Sequence, residues 1–182
     1  MIENIRDEFI NISIEYEGKT NYNYWEEHVK YVVMFSLELA EKVGADKEIV
    51  EISAILHDIA KVSVEESEPH NIIGSDLAEE MLTKLGYEQE KIEKVKNCII
   101  KHNGDVDLDS LTKEEWCVRN ADVLSMLDNL TIYYYLAYSE CHMNYKDGKN
   151  FVKDMITNKY SKLDSKLKEE YKDRFELLFN SI

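Results

Sequence analysis

The chain has a single proline and only six glycines among 182 residues. So little turn punctuation argues against a β-sandwich and for long helices. Basic residues are also scarce: 22 Lys and Arg stand against 37 Asp and Glu, a formal net charge of −15. Such an acidic chain lacks the broad positive face that holds nucleic-acid polymers or anionic membranes, so neither is expected as a partner. No apolar run approaches the ~20 residues needed to span a bilayer. The amino terminus, Met1-Ile2-Glu3-Asn4-Ile5-Arg6-Asp7, has no basic stretch leading into an apolar core, so a cytoplasmic protein without a signal peptide is expected. The three cysteines, Cys98, Cys117 and Cys141, are too far apart for a CxxC pair. They read as buried thiols in a reducing compartment rather than a disulfide framework.

What remains is helical periodicity over most of the length. From about Tyr22 to Val43, Trp25, His28, Val29, Val32, Phe35, Ser36 and Leu39 fall on one stripe. Asp46 is a candidate N-cap for a helix whose inner face carries Ile49, Ile52, Leu56 and Ile59. Ser63 and Glu66 match a capping box. Pro69 opens a helix with His70, Ile73, Leu77 and Met81 aligned, and Gly86 ends it. A further helix from about Glu88 to His102 aligns Ile92, Val95, Ile99 and His102. Asn103–Ser110 is an acidic loop. Thr112 and Glu115 form a second capping box, starting a long helix that reaches about Cys141. Asp147-Gly148 reads as a turn, and a last helix fills the carboxyl end. The expectation is an all-α protein, a single domain over residues 1–182 forming a bundle of about seven helices.

The chemistry-bearing residues lie on these inner faces. His57-Asp58 ends an apolar helix, where a buried Asp is costly unless paired or bound to a cation. An imidazole and a carboxylate together suit a divalent metal, although a His bonded to its neighbouring carboxylate in a packed helix would look the same. His28, His70 and His102 each lie on the apolar stripe of a different helix, and Asp122 lies between Val118 and Met126 at a spacing of four. Each alone reads as a core residue. Five helices aiming His or Asp inward point to a shared cation, because burying so many ionisable groups without one is expensive.

The order His28, then His57-Asp58, then Asp122 resembles the H…HD…D pattern of the HD-domain superfamily of metal-dependent phosphohydrolases. The resemblance covers a motif core of about residues 25–125, with the helices of 112–182 completing the bundle. It implies that His28, His57, Asp58 and Asp122 bind a divalent metal. His70-Asn71-Ile72-Ile73-Gly74 and Ile99-Ile100-Lys101-His102 are similar to the additional-histidine signatures of dinuclear members. They imply a second metal on His70 and His102, bridged by Asp58. Two assignments stay open: two metals, or one metal with His70 and His102 binding substrate phosphate. The metal can be Mn, Fe, Co, Ni, Zn or Mg.

The implied reaction is metal-assisted hydrolysis of a phosphoester or phosphoanhydride in a nucleotide or other small phosphorylated metabolite, with Asp58 and Lys61 catalytic. Lys61 stands three residues after Asp58, so its ammonium can reach the same mouth and bind substrate; an ion pair with Asp58 or Glu65 is the plainer role. The alternative is a non-catalytic protein that holds metal and nucleotide as a sensor or interaction module. Lys61-Val62 stand where the alarmone hydrolases of the superfamily carry an ED pair, and Asn103 after His102 and the absence of a GYP triplet depart from the HD-GYP phosphodiesterases; the His57–Lys61 run and the two extra histidines are most similar to small bacterial HD hydrolases, and the substrate stays open. Asp105, Asp107 and Asp109 alternate like a calcium loop, but Ser110 and Trp116 stand where Gly and Glu are needed, so the segment reads as solvated. The run Ile132–Tyr138 reads as helix packing or a face for a homo-oligomer. His142 reads as exposed.

Overall fold

The structure, a computed structural model, describes residues 1–65 and 69–182. Glu66 of the Ser63–Glu66 capping box lies outside the described residues. The described residues form helices and no strand, in two compact units, residues 1–122 and 123–182.

The first unit contains α1 (Ile2–Thr20), a π-helical turn Trp25–Val29 that runs directly into α2 (Lys30–Val43), α3 (Lys47–Leu56), α4 (Ile59–Ser63), α5 (His70–Lys84) and α6 (Gln89–Lys101). The boundary between units falls within α7 (Lys113–Leu124). Helix α3 is the centre of this unit and packs against α1, α2 and α6. Ile49, Val50, Ile52, Ala54, Ile55 and Leu56 are all fully buried, which explains its near-continuous apolar sequence. Each large side chain among them contributes roughly 1.5–3 kcal/mol by leaving water. Helix α1 has a weaker pattern; only Ile5, Phe9 and Ser13 are buried on it.

Local chemistry sets the boundaries. The Asp46 carboxylate accepts from the backbone N–H of Glu48 and Ile49, at 3.0 and 3.3 Å, and caps α3. Pro69 sits at the N-cap of α5, and the chain closes that helix through Gly86, at φ 78°. The Thr112–Glu115 box is reciprocal: Glu115 N–H donates to Thr112 Oγ1 at 3.3 Å, and Thr112 N–H donates to Glu115 Oε2 at 2.9 Å.

The long helix expected from Thr112 to Cys141 is broken. Helix α7 stops at Leu124, a 3₁₀ turn spans Ser125–Leu127, and α8 (Thr131–Tyr134) leads into a π-helical segment, Tyr135–Glu140. The break falls at Asp128-Asn129. Asn129 Oδ1 takes the Thr131 N–H at 2.8 Å, a local bond that competes with the helical ladder. The carboxyl end forms two helices, α9 (Tyr145–Ser161) and α10 (Ser165–Ser181), the second capped by Asp164. Asp147-Gly148 is the first turn of α9, not a loop: Asn144 caps that helix by accepting from Asp147 N–H. Gly148 is needed because a Cβ there would run into the Tyr138 ring. These interruptions raise the helix count above seven. Cys98 and Cys117 are buried as expected, whereas Cys141 is exposed.

Removing the α3 cap by Asp46→Ala should lower stability by about 1 kcal/mol, measured by urea unfolding.

Candidate metal centre

The centre is built where α3 gives way to α4. Helix α3 ends at Leu56, His57 follows in helical geometry, and Asp58 swings to φ −115°, ψ 19° as the N-cap of α4. The kink turns the side chains of two sequence neighbours toward one space, which an unbroken helix would hold about 100° apart. His28 arrives from the π-helical turn, His70 from the first position of α5, His102 from the end of α6 and Asp122 from α7. All six are buried.

Two histidine pairs face each other. His28 Nε2 lies 3.2 Å from His57 Nε2, and His70 Nε2 lies 3.3 Å from His102 Nε2. The opposite edges of two rings are anchored: His57 Nδ1 donates to the Ala54 carbonyl at 2.8 Å and His102 Nδ1 to the Ile99 carbonyl at 2.6 Å. A carbonyl can only accept, so each Nδ1 carries the hydrogen, and each neutral ring turns a bare Nε2 lone pair inward.

Asp58 stands between the pairs. Its Oδ2 lies 3.4 Å from His57 Nε2 and 3.6 Å from His28 Nε2, while Oδ1 lies 3.5 Å from both His70 Nε2 and His102 Nε2. Two groups result, His28–His57–Asp58 and Asp58–His70–His102, each with ligand atoms within 4.8 Å of one another. Asp122 Oδ1 flanks the first group, 3.5 Å from His28 Nε2 and 3.9 Å from His57 Nε2. Lys61 Nζ reaches Asp58 Oδ2 at 2.9 Å from a side chain 34% exposed.

The electrostatics follow from burial. Desolvation lowers the pKa of His28 and of His102. It acts on His57 too, but the Asp58 carboxylate, with help from Asp122, outweighs it and raises that pKa. Burial works to raise the Asp58 pKa, yet the Lys61 ammonium and His57 hold it well below the usual carboxylate range. The centre therefore contains an ionised carboxylate whose Oδ1 is buried and receives no hydrogen bond. An acceptor stranded between two imidazole nitrogens is what a divalent cation would satisfy, and the N/O donor set suits one.

Several contributors were not singled out in the sequence. Tyr24 donates its hydroxyl to Asp58 Oδ2 at 2.8 Å. Arg119 donates to the carbonyls of Lys101 and Gly104, at 3.1 and 2.8 Å, bracketing the turn that holds His102. Asn103 Nδ2 lies 3.5 Å from His70 Nε2. Tyr24 precedes His28 by four residues and Arg119 precedes Asp122 by three, the one available signal for each. His142 is exposed, as expected, and the Asp105–Asp109 segment caps its own turn, Asp107 Oδ1 accepting from Asp109 N–H.

Four histidines and two aspartates from five helices thus converge in an all-α unit, and two groups of them, sharing Asp58, have the spacing and donor chemistry that could hold a divalent ion. The family model for the HD domain matches residues 25–127, more than half of the chain, and the chain belongs to that family. HD domains bind divalent metals, and the superfamily consists mostly of metal-dependent phosphohydrolases. An uncharacterized protein of Clostridium beijerinckii is 39% identical over 67 residues, 36% of this chain and 43% of that protein. Ribonuclease Y of Clostridium novyi is 35% identical over 88 residues, 48% of this chain and 16% of that enzyme. The matched segments thus span less than half of these relatives. Among solved structures, Bacillus subtilis YpgQ in complex with ADP aligns at a TM-score of 0.72 with 17% identity, covering 100% of this chain and 93% of that one. A predicted HD superfamily hydrolase from an uncultured Thermotogales bacterium aligns at 0.52 with 20% identity, covering 94% and 91%. At these identities the structural likeness speaks for the fold.

In metal-free protein at a pH where the rings are neutral, ¹⁵N NMR should find His57 and His102 protonated at Nδ1 and bare at Nε2. Nε2–H tautomers would contradict the carbonyl anchoring.

Proposed function

We propose that this chain is a metal-dependent phosphohydrolase acting on a nucleotide or a similar small phosphorylated metabolite, with two divalent ions held by its buried centre. His28, His57, Asp58 and Asp122 would hold one ion and Asp58, His70 and His102 the other. The observation that carries the reading is Asp58 Oδ1, buried without a donor and 3.5 Å from two imidazole nitrogens. When bound, such ions supply Lewis-acid stabilisation of phosphoryl oxygens and make water acidic enough to act near neutral pH. The donor set fits Mn, Fe, Co, Ni or Zn.

The protein's own groups do the rest. His57 and His102, locked through Nδ1, keep their lone pairs aimed inward and cannot turn without breaking a bond to backbone. Lys61 has a partly exposed ammonium on a long stem that can turn from Asp58 to a substrate oxygen, balancing charge there as the phosphoryl group transfers. Asn103 is half-buried beside His70 and offers an N–H donor to a phosphate.

The ADP complex of YpgQ supports a nucleotide substrate by analogy of fold. The ribonuclease Y relatives raise RNA as a second reading, since they match on sequence. A net charge of −15 weighs against it, because a polyanion would meet an acidic surface beyond the mouth of the site.

Elemental analysis of purified protein should find close to two divalent ions per chain. His57→Ala and Asp58→Ala should lose metal and activity together. His70→Ala and His102→Ala should each fall to near one ion, with activity down by orders of magnitude; full metal content in both would mean a single-ion site with these histidines on substrate. His142→Ala should change neither. A panel of nucleoside di- and triphosphates, p-nitrophenyl phosphate and a short RNA, with and without Mn²⁺, separates the substrate classes. Cleavage of RNA alone would favour the second reading.

A further inference from the structure

Asp58 faces a problem of orientation. For one carboxylate to serve two groups of histidines, its two oxygens must point in different and fixed directions. Rotation by a quarter turn about its last bond would withdraw both oxygens from both groups. Oδ2 has two donors, the Lys61 ammonium at 2.9 Å and the Tyr24 hydroxyl at 2.8 Å, and Oδ1 has none.

The two donors differ in kind. Lys61 sits on a long stem that is one-third exposed, and under the reading above it is free to turn to substrate. Tyr24 is 4% exposed, and its ring is held edge-on against three others: His28 at 5.5 Å, Tyr22 at 5.9 Å and Tyr16 at 6.1 Å between centroids. It cannot swing away. The π-helical turn places Tyr24 over His28, so a single ring braces one histidine while its hydroxyl holds the carboxylate.

We propose that Tyr24 is a positioning residue that fixes the rotation of the Asp58 carboxylate, committing Oδ2 to the His28–His57 side and leaving Oδ1 for the His70–His102 side. The proposal rests on the two-ion reading of the site. Partners that orient a metal ligand in this way usually matter about 10–100-fold in metal affinity.

The test is Mn²⁺ titration of metal-free wild type, Tyr24→Phe and Tyr16→Phe, followed by calorimetry, with circular dichroism of each metal-free protein. Phe keeps the ring and removes only the donor. Tyr24→Phe should retain the wild-type helical spectrum, bind Mn²⁺ about 10–100-fold more weakly and lose the weaker-binding ion first. Tyr16→Phe, which keeps its edge contact and has no bond to Asp58, should titrate like wild type. Wild type and Tyr24→Phe binding two ions equally well would overturn the role of Tyr24 and leave the two-ion reading intact. A wild type that binds no metal would overturn that reading and this proposal with it. An unfolded Tyr24→Phe would also overturn it, because a role confined to orienting Asp58 requires a folded metal-free variant.

Discussion

A carboxylate taken out of water costs several kcal/mol unless nearby groups replace the hydration it loses. Asp58, 2% exposed, is such a group at the base of the first unit's buried centre. Tyr24 and Lys61 satisfy one of its oxygens, and the other is left between the imidazole nitrogens of His70 and His102, of which the neutral, carbonyl-anchored His102 ring has only a lone pair to offer. The arrangement stays costly until a cation enters, which makes metal affinity and folding free energy parts of one balance.

That constraint explains why the surrounding packing is so heavily apolar and so well anchored. Helix α3 delivers His57 and Asp58 from a segment buried on nearly every side, so both side chains start from a close-packed element. The turn after α6 needs more help, because it leads into an exposed acidic loop. Arg119 supplies it from α7, tying down the carbonyls on both sides of His102, and the Lys101–Glu115 ion pair at 2.9 Å links the same two helices. The distance between histidine groups is thus set by helix packing rather than by loops.

Much of this was readable in the chain. Inward positions of His28, His70, His102 and Asp122 followed from helical spacing, because burial obeys that period, whereas His57 stood out only as the partner of Asp58 at the end of an apolar helix. Caps at Asp46 and at Thr112–Glu115 followed from side-chain chemistry that acts within four residues. What could not be read depends on neighbours distant in sequence. Nothing in Asn23-Tyr24-Trp25 announces that a phenol will meet a carboxylate 34 residues away. The π-helical turn leaves no compositional mark. Asp147-Gly148 has turn composition, but the glycine is there for the Tyr138 ring, and tertiary packing overrides its local preference. The break at Asp128-Asn129 had a visible cause in two helix-poor residues, yet the apolar rhythm on either side masks it.

The cysteines carry a practical consequence. Burial pushes the thiols of Cys98 and Cys117 up to about 12, so near neutral pH both stay almost entirely in the unreactive thiol form. Alkylating dyes, spin labels and peroxide all act on the thiolate, and these two positions are nearly inert to them while the fold holds. Cys141 is exposed. The wild-type chain therefore offers itself as a singly addressable molecule, ready to carry one probe on its second unit without any engineered substitution, and labelling at Cys98 or Cys117 would report that the first unit had opened.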